Sequence, residues 1–329
     1  MCNTDIVATC CFVNVGQGTS QVILLGDFRA IVIDTGRYRP KEKDKGEVKD
    51  VSPLILLLKE HNIQHIEALI LSHNDADHVG DVKNVLDCFC GCIDKIYLLI
   101  DRKLEDIAVY ADIKEAISDN SDLERLVERL EVHDTGDIWK NNEKNICVSV
   151  LHPYFIRNLE LTSNSTNVAS STTVSNATCG VIALTVKTQK VIFSGDAPVK
   201  AWRRVVNNNG VQRVQILTVP HHGGNFWSNK GDREWFFDNI KTDYAIVSVG
   251  YGNRYDHPEP EVIRSFVSID AEVFCTQSNK ECVKGLSSVI GVCCDMVIAD
   301  IGVDRVSIYN LDELRKSKER FTNRLCKSS

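Results

Sequence analysis

One stretch of this chain is the most informative about its fold: Leu69-Ile70-Leu71-Ser72-His73-Asn74-Asp75-Ala76-Asp77-His78-Val79-Gly80. Its apolar start is typical of a buried strand, and four side chains of metal-binding type follow within the next few residues. In a tightly turned loop, residues two apart can converge on one ion while the adjacent pair faces a second ion. The spacing therefore predicts a site for two metal ions.

A structural alternative for this stretch is a polar loop that caps the next helix, with Asp77 as the N-cap residue. A capping role would explain only one of the two carboxylates in this stretch. It leaves two histidines and a second carboxylate without a purpose at the end of a buried strand, so the metal site is the favoured interpretation.

Two more apolar strands end in side chains of the same kind. Val191-Ile192-Phe193 leads into Ser194-Gly195-Asp196, and Leu217-Thr218-Val219 leads into Pro220-His221-His222-Gly223. Taken singly, Asp196 would be an ordinary turn residue and the histidine pair a surface feature. Three such strand ends in one chain indicate one shared site.

The remaining periodicity predicts two β-rich halves that pack face to face with helices outside. The chain opens with a meander of three strands, and Ser52-Pro53 then marks the start of a helix that ends near His61. A helix is expected from Val79 to about Cys88 and helical stretches from Ile107 to Leu130, with later helices around Ala201, Trp235 and Val262. The predicted strands are Ile6–Val15, Gln21–Leu25, Ala30–Ile33, Ile66–Leu71, Lys95–Ile100, Ile146–Leu151, Gly180–Val186, Val191–Ser194, Val214–Val219, Tyr244–Val249, Glu272–Cys275 and Met296–Ile301.

No linker divides the two halves, so we expect one domain over residues 1–310 and a charged C-terminal helix or tail over 311–329. A Ser/Thr/Asn-rich stretch within residues 157–178 has too little apolar content to pack and is expected to be a surface loop.

Composition excludes few classes of protein. The net charge of −7 over 329 residues argues against a surface that is basic throughout, and the basic stretches Arg37–Lys49 and Arg315–Lys327 also contain acidic residues. The N-terminus has no signal-peptide pattern, and no apolar run approaches the roughly 20 residues of a membrane helix. We therefore expect a soluble, cytoplasmic protein without a membrane partner.

The thirteen cysteines are odd in number, and most lie in apolar runs, which favours reduced thiols. The triplet Cys88-x-Cys90-x-Cys92 lacks the spacing of a structural zinc knuckle, so an independent cysteine–zinc site is the less favoured interpretation.

Several motifs in matching order resemble the ComEC-type branch of the metallo-β-lactamase superfamily, which includes the hydrolase domain of the competence DNA-uptake channel. The resemblance covers roughly residues 8 to 260 and is carried by Val15-Gly16-Gln17-Gly18, Ile33-Asp34-Thr35-Gly36, His73-x-Asp75-x-Asp77-His78, Ser194-Gly195-Asp196, Val219-Pro220-His221-His222-Gly223 and Val247-Ser248-Val249-Gly250 followed by His257-Pro258. It implies an α/β (α+β) fold of four layers, an αββα sandwich of two mixed sheets with helices outside.

The resemblance also implies roles for individual residues. The implied metal ligands are His73, Asp75, Asp77, His78, Asp196 and His222, with Asp196 bridging two ions. Asp77, His221 and His257 are the implied catalytic residues, and His257 would lie at the rim. Asp34-Thr35-Gly36 and the Gly-Gln-Gly turn look structural.

Two departures from the superfamily pattern bear on the metals. Asp75 replaces a histidine, a change that this branch shares and that favours Mn²⁺ as a competitor of Zn²⁺. A further histidine is missing unless His152 or Asn176 substitutes, and the chain reads Asn176-Ala177-Thr178-Cys179 where family members often read Asn-x-x-Ser.

We therefore expect a metal-dependent hydrolase, a phosphodiesterase or nuclease that acts on DNA or another phosphodiester through water activated by two divalent ions. One alternative is a hydrolase of small esters, thioesters or lactams that uses the same site. The other is an accessory component, with protein partners, of a DNA-processing or antiviral-defence assembly.

Overall fold

The computed structural model of this chain describes residues 6–36, 52–99, 115, 121–132, 136–154, 176–250, 253–277 and 296–310. Both basic stretches, residues 311–329 and nearly all of the predicted surface loop lie outside the described residues.

The first sheet contains eight strands in the spatial order β15-β14-β1-β2-β3-β4-β5-β6. Their bounds are β1 Ile6–Val13, β2 Ser20–Gly26, β3 Arg29–Thr35, β4 His65–Ile70, β5 Ile96–Leu98, β6 Val127–Arg129, β14 Met296–Gly302 and β15 Val306–Asn310. Strands β1 to β3 form the expected antiparallel meander, and β4 pairs parallel with β3. Parallel pairing brings the carboxyl ends of β3 and β4 to one edge of the sheet.

The second sheet contains seven strands in the order β13-β12-β11-β10-β9-β8-β7. Their bounds are β7 Asp137–Asn141, β8 Ile146–His152, β9 Val181–Val186, β10 Gln189–Phe193, β11 Arg213–Thr218, β12 Lys241–Val247 and β13 Glu272–Cys275. Strands β10 to β13 are parallel, whereas β7 to β10 pair antiparallel. The parallel part therefore presents the ends of β10, β11 and β12 at a common edge.

The helices lie on the outer faces of the two sheets. They are α1 Pro53–Glu60, α2 Ala76–Val79, α3 Val82–Phe89, α4 Ser121–Glu124, α5 Val199–Asn209, α6 Lys230–Asn239 and α7 Pro260–Val267, with 3₁₀ turns at Cys90–Cys92 and Pro220–Gly223. Helices α1 and α3 pack on the first sheet, and α5, α6 and α7 pack on the second.

A third apolar cluster fills the space between the sheets and includes Phe12 and Phe193, whose ring centroids lie 6.1 Å apart. Two sheets with a shared core and helices outside form the predicted αββα sandwich, so the predicted fold class is confirmed.

Local chemistry explains the predicted start of α1. The Ser52 Oγ accepts a hydrogen bond of 3.2 Å from the Ile55 N–H, and Pro53 occupies the first helical turn, where its missing N–H costs nothing. The helix then buries Leu54, Ile55, Leu57 and Leu58 against the first sheet.

Several predicted elements were wrong or absent. Helical structure was expected up to Leu130, but residues 127–129 form β6, which pairs parallel with β5. Strands β7 and β15 were not predicted, because Asp137–Asn141 and Val306–Asn310 alternate weakly and carry polar residues, as sheet-edge strands commonly do. Residues 176–178, placed in the surface loop, form a helical turn in which Thr178 is buried.

Among the described residues, no helix is long and apolar enough to span a membrane.

Candidate metal centre

The predicted ligands come together where three strands end. The loop after β4 carries His73, Asp75, Asp77 and His78, the turn after β10 carries Asp196, and the 3₁₀ turn after β11 carries the 221–222 pair. The hydrogen bond from the Thr19 N–H to the Asp77 carbonyl, 2.9 Å, and that from the Gly36 N–H to the His78 carbonyl, 3.0 Å, join the metal-binding loop to the start of β2 and the end of β3.

Three buried histidines are oriented in the same way. In each, Nδ1 faces a fixed partner and Nε2 faces the centre. The Nδ1 of His78 lies 2.7 Å from an Asp34 oxygen, that of His222 lies 2.8 Å from the Ser248 carbonyl, and that of His73 lies 3.3 Å from the Ser72 Oγ. An Nδ1–H donor leaves the Nε2 lone pair free to bind a cation, which is the usual arrangement of metal-binding histidines.

Asp34 is the strongest of these anchors. Its carboxylate accepts hydrogen bonds of 2.7 Å each from the Ser72 N–H, the Ser72 hydroxyl and His78 Nδ1. The residue is fully buried and adopts a left-handed backbone conformation, with φ +58°. Asp34 therefore fixes both the loop and the ring that follow β4.

The inward-facing atoms form two groups of donors. His73, His78 and Asp196 contribute one ligand atom each within 4.8 Å of one another, and so do Asp77, His78 and His222. Asp75 adjoins the first group, with its Oδ2 3.9 Å from His73 Nε2.

Two observations test whether these residues fit metal ions. The His73 Nε2 is buried without a hydrogen-bond partner, and the His78 and His222 Nε2 atoms face each other at 3.2 Å. Two lone pairs at that distance repel unless a cation or a proton lies between them. Imidazole and carboxylate donors suit Zn²⁺ and Mn²⁺, so the site fits divalent ions.

Charge coupling at the centre is strong. Burial acts to raise the pKa of Asp196, yet His78 and His222 hold it well below the usual carboxyl range. Burial acts to lower the pKa of His78, yet Asp196 and Asp34 raise it well above its ordinary value. The pKa of His222 is raised in the same way, against burial, by Asp196 and Asp77. These pKa shifts indicate that the centre favours positive charge.

His73 and Asp77 complete this pattern. Burial, followed by the repulsion of His78, lowers the pKa of His73, which keeps its ring neutral and able to bind a metal ion. Burial acts to raise the pKa of Asp77, but its hydrogen bond with His222 holds that pKa low. Asp77 is thus an anionic donor at neutral pH.

The rim of the site is formed by rings outside the centre. His221 is one-third exposed, with its Nε2 3.9 Å from Asp196 Oδ2. Its ring lies edge-on to His257 at 5.5 Å, and His257 stacks on the exposed Tyr255 at 5.7 Å. The Arg254 guanidinium lies 4.6 Å from the Tyr255 ring centroid.

Two glycines permit the close packing around this rim. A Cβ at Gly224 would lie 2.5 Å from the His257 ring, and a Cβ at Gly250 would lie 2.4 Å from the Gln17 N. The close contact between Gly250 and Gln17 places the Gly16-Gln17-Gly18 turn against the loop after β12. This loop also contains Ser248, whose carbonyl anchors His222.

The structure separates the alternatives left open by the sequence. Asp75, and not Asp77, occupies the N-cap position of α2, and it makes no capping hydrogen bond with its side chain, so the capping interpretation is wrong. His222 faces the centre, whereas His221 lies at the rim. The His152 Nδ1 lies 2.9 Å from the Cys179 carbonyl, and the ring belongs to neither donor group. The buried Asn176 Oδ1 has no hydrogen-bond partner, and its role as a substitute ligand stays a prediction.

The cysteine triplet has no part in the centre. Cys88 and Cys90 are exposed, and the donor groups found among the described residues contain no cysteine.

Sequence reasoning missed two residues that orient the ligands. Asp34 was regarded as structural, although it follows an apolar strand as Asp196 does, and the same signal could have identified it. Cys179 lies with its Sγ 3.5 Å from His73 Nδ1. Burial, with Asp196 and Asp34, raises the pKa of this thiol well above its usual value.

Comparisons with known proteins agree with this geometry. Residues 13–88 match the model of the metallo-beta-lactamase superfamily. ComE operon protein 3 of Bacillus subtilis (strain 168) is 25% identical over 277 residues, which are 81% of this chain and 31% of the relative. Competence protein ComA of Neisseria gonorrhoeae is 21% identical over 248 residues, 75% of this chain and 28% of the relative. The chain thus matches about a third of the length of either relative.

Among solved structures, the metallo-beta-lactamase fold protein YhfI from Bacillus subtilis is similar with a TM-score of 0.44 and 12% identity, over 84% of this chain and 98% of that protein. The family model over residues 13–88 and the two competence proteins over 75–81% of this chain show that the chain is similar to the metallo-beta-lactamase superfamily and to competence-type relatives.

Proposed function

We propose that this protein is a dinuclear metallo-hydrolase that cleaves phosphodiesters, with DNA as the favoured substrate class. The observation that carries the proposal is the pair of donor groups that share His78 and lie on either side of Asp196. Two adjacent cation sites suit in-line displacement at phosphorus, because the attacking and the leaving oxygen both carry developing negative charge.

The donor groups assign the ligands. Asp77, His78 and His222 would hold one ion, His73 and Asp75 the other, and Asp196 would contact both. When bound, such ions supply Lewis acidity and lower the pKa of water toward neutrality. The chain's own contribution is to keep Asp196 and Asp77 anionic and the three Nε2 atoms aimed at the centre, so that no ligand has to reorganise during turnover.

The rim residues divide the proton chemistry between them. Burial, followed by the repulsion of His221, lowers the pKa of His257 to about 4. His257 is therefore neutral at pH 7 and suited to orient a substrate oxygen by a hydrogen bond. His221 is one-third exposed and lies next to Asp196, so we assign it the transfer of a proton to the leaving oxygen.

The polarity of the rim supports a polyanionic substrate. Arg254 and Tyr255 are both exposed beside His257 and offer a cation and an aromatic face next to the reaction centre. An arginine and an aromatic ring are the usual partners of a phosphate and a base in single-stranded nucleic acid. The ComEC-type resemblance also favours DNA as the substrate.

The first test combines metal content with turnover. Chelator-free protein is analysed by elemental mass spectrometry and assayed with bis-p-nitrophenyl phosphate in Mn²⁺ or Zn²⁺. We expect about two ions per chain and metal-dependent hydrolysis. The variant His222→Gln should lose one of the two ions and the hydrolysis. His65→Gln is the matched control, because His65 is exposed at the opposite end of β4, roughly 17 Å along the strand from the site.

A substrate panel separates the alternatives. Bis-p-nitrophenyl phosphate, single-stranded DNA, a p-nitrophenyl ester and a chromogenic cephalosporin are assayed side by side. Cleavage of the ester or the cephalosporin alone would refute the phosphodiesterase proposal in favour of the small-substrate hydrolase. Less than one bound ion, with no turnover of any substrate, would favour the accessory component.

A further inference from the structure

Cys179, two residues before β9, contacts two of the predicted ligands at once. Its Sγ lies 3.5 Å from His73 Nδ1 and 3.1 Å from the Asp196 backbone nitrogen, and the side chain is fully buried. We propose that Cys179 is a positioning residue that locks His73 and Asp196 together, so that one of the two metal sites depends on its thiol. The inference rests on the metal centre of the proposed function and not on the identity of the substrate.

The direction of the contacts indicates positioning and not ligation. The thiol faces Nδ1 of His73, on the opposite side of the ring from Nε2, which lies 3.6 Å from an Asp196 oxygen. The donor group of His73, His78 and Asp196 contains no sulfur atom. Cys179 thus stands behind the ring, where His78 has Asp34 and His222 has the Ser248 carbonyl.

The hydrogen bonds around the sulfur atom are mutually consistent. The Asp196 N–H and the His73 Nδ1–H donate to Sγ, and the thiol hydrogen points to the Gly180 carbonyl at 3.8 Å. A serine hydroxyl could take the same three contacts, since it also accepts and donates. A valine has a similar shape and can take none of them.

The backbone around Cys179 is built for this contact. The Gly180 N–H donates to the Ser72 carbonyl at 2.6 Å, which ties the start of β9 to the metal-binding loop. A Cβ on Gly195 would lie only 2.4 Å from the Cys179 Sγ, so the sulfur atom fills the space that this glycine leaves open. The thiol is therefore clamped between the loops that carry His73 and Asp196.

The consequence should be larger on the His73 side of the centre, because the other side shares only Asp196 with Cys179. His73 has only neutral anchors, the Ser72 hydroxyl and the Cys179 thiol, and loss of the thiol frees its ring. The Asp77, His78 and His222 group has anchors that do not involve Cys179. Loss of a group that orients a ligand typically lowers metal affinity 10–100-fold.

The experiment compares Cys179→Val with Cys179→Ser. Cys10→Val is the matched control, because Cys10 is also fully buried but packs in the core between the sheets. Zinc affinity of each of the two sites is measured by competition with a chromophoric chelator, and folding is monitored by circular dichroism. We expect Cys179→Val to weaken the His73-side site 10–100-fold and to weaken the other site much less. Cys179→Ser and Cys10→Val should keep both affinities.

Unchanged zinc binding in Cys179→Val would overturn the inference, and so would an equal loss in Cys179→Ser, because that result would indicate packing alone. If Cys179→Val does not fold, Cys179→Ala replaces it in the same titration. Cobalt-loaded protein supplies a spectroscopic check: a thiolate-to-cobalt charge-transfer band that disappears in Cys179→Ser would make Cys179 a ligand and refute positioning. Failure of the wild-type protein to bind two ions would instead refute the proposed function.

Discussion

The change Asp34→Asn probes how the centre holds its histidines. The Asp34 carboxylate accepts three hydrogen bonds of 2.7 Å, one of them from His78 Nδ1. The asparagine oxygen can still accept from the Ser72 N–H, but its NH₂ group then faces His78. Two N–H donors cannot pair, so His78 either loses its anchor or moves its proton to Nε2, where the proton blocks metal binding.

The size of the effect follows from the bond that is lost. A hydrogen bond to a charged group contributes about 1.5–3 kcal/mol, which corresponds to a metal affinity lower by roughly 10–150-fold. We assign His78 to the ion held with Asp77 and His222, so that site should show the loss. We expect chelator competition to record this loss while circular dichroism stays native.

The matched control for this experiment is Asp300→Asn, which alters a buried carboxylate of β14 that accepts a hydrogen bond from the Thr9 hydroxyl at 2.8 Å. It should leave metal affinity unchanged. Wild-type affinity in Asp34→Asn would refute the argument that His78 needs a carboxylate behind it.

Asp196→Asn should remove most hydrolysis with the fold intact, because it discharges the residue between the two ions; a fully active variant would contradict the dinuclear site. In metal-free protein, the raised pKa values of His78 and His222 add stability that is complete below their unfolded value of 6.5 and disappears as pH rises through the folded values. The lowered pKa values of Asp77 and Asp196 add stability above about pH 4 that is lost as pH falls. The Tm in chelator should therefore fall as pH rises above 6.5, whereas bound metal should remove this fall; a Tm in chelator that stays constant above pH 6.5 would contradict the charge coupling. Gly250→Ala should lower the free energy of unfolding by about 1–3 kcal/mol in denaturant titrations, because its Cβ meets the Gln17 backbone. Replacing Cys88, Cys90 and Cys92 together with serine should leave metal content and turnover unchanged, and a loss of metal would revive the cysteine–zinc interpretation.

The sequence predicted most of the fold because the buried strands are long apolar runs bounded by turns. It also indicated all three loops of the centre, since His73, Asp196 and His222 each follow such a run. It failed at β6, where Val127-Glu128-Arg129 is too short and too polar to be distinguished from a helix. Pairing with β5, a tertiary effect, decides the conformation there.

The residues behind the ligands were harder to predict for a physical reason. A ligand type at a strand end is visible in the sequence, but the group that holds its far nitrogen comes from elsewhere in the chain. Asp34 is 44 positions from His78, and Cys179 is 106 positions from His73. Only the register of β3 against β4 and the contact between the two sheets bring them together.

The three groups that anchor the histidine rings differ in strength, and that difference predicts which of the two metal sites binds its ion more tightly. A carboxylate behind His78 polarises its ring most, a carbonyl behind His222 less, and a thiol with a hydroxyl behind His73 least. His73 also faces Asp75, whose side chain is partly exposed to solvent. The ion on the Asp77–His78–His222 side should therefore bind first and leave last, and the ion on the His73 side should set the metal concentration that hydrolysis requires.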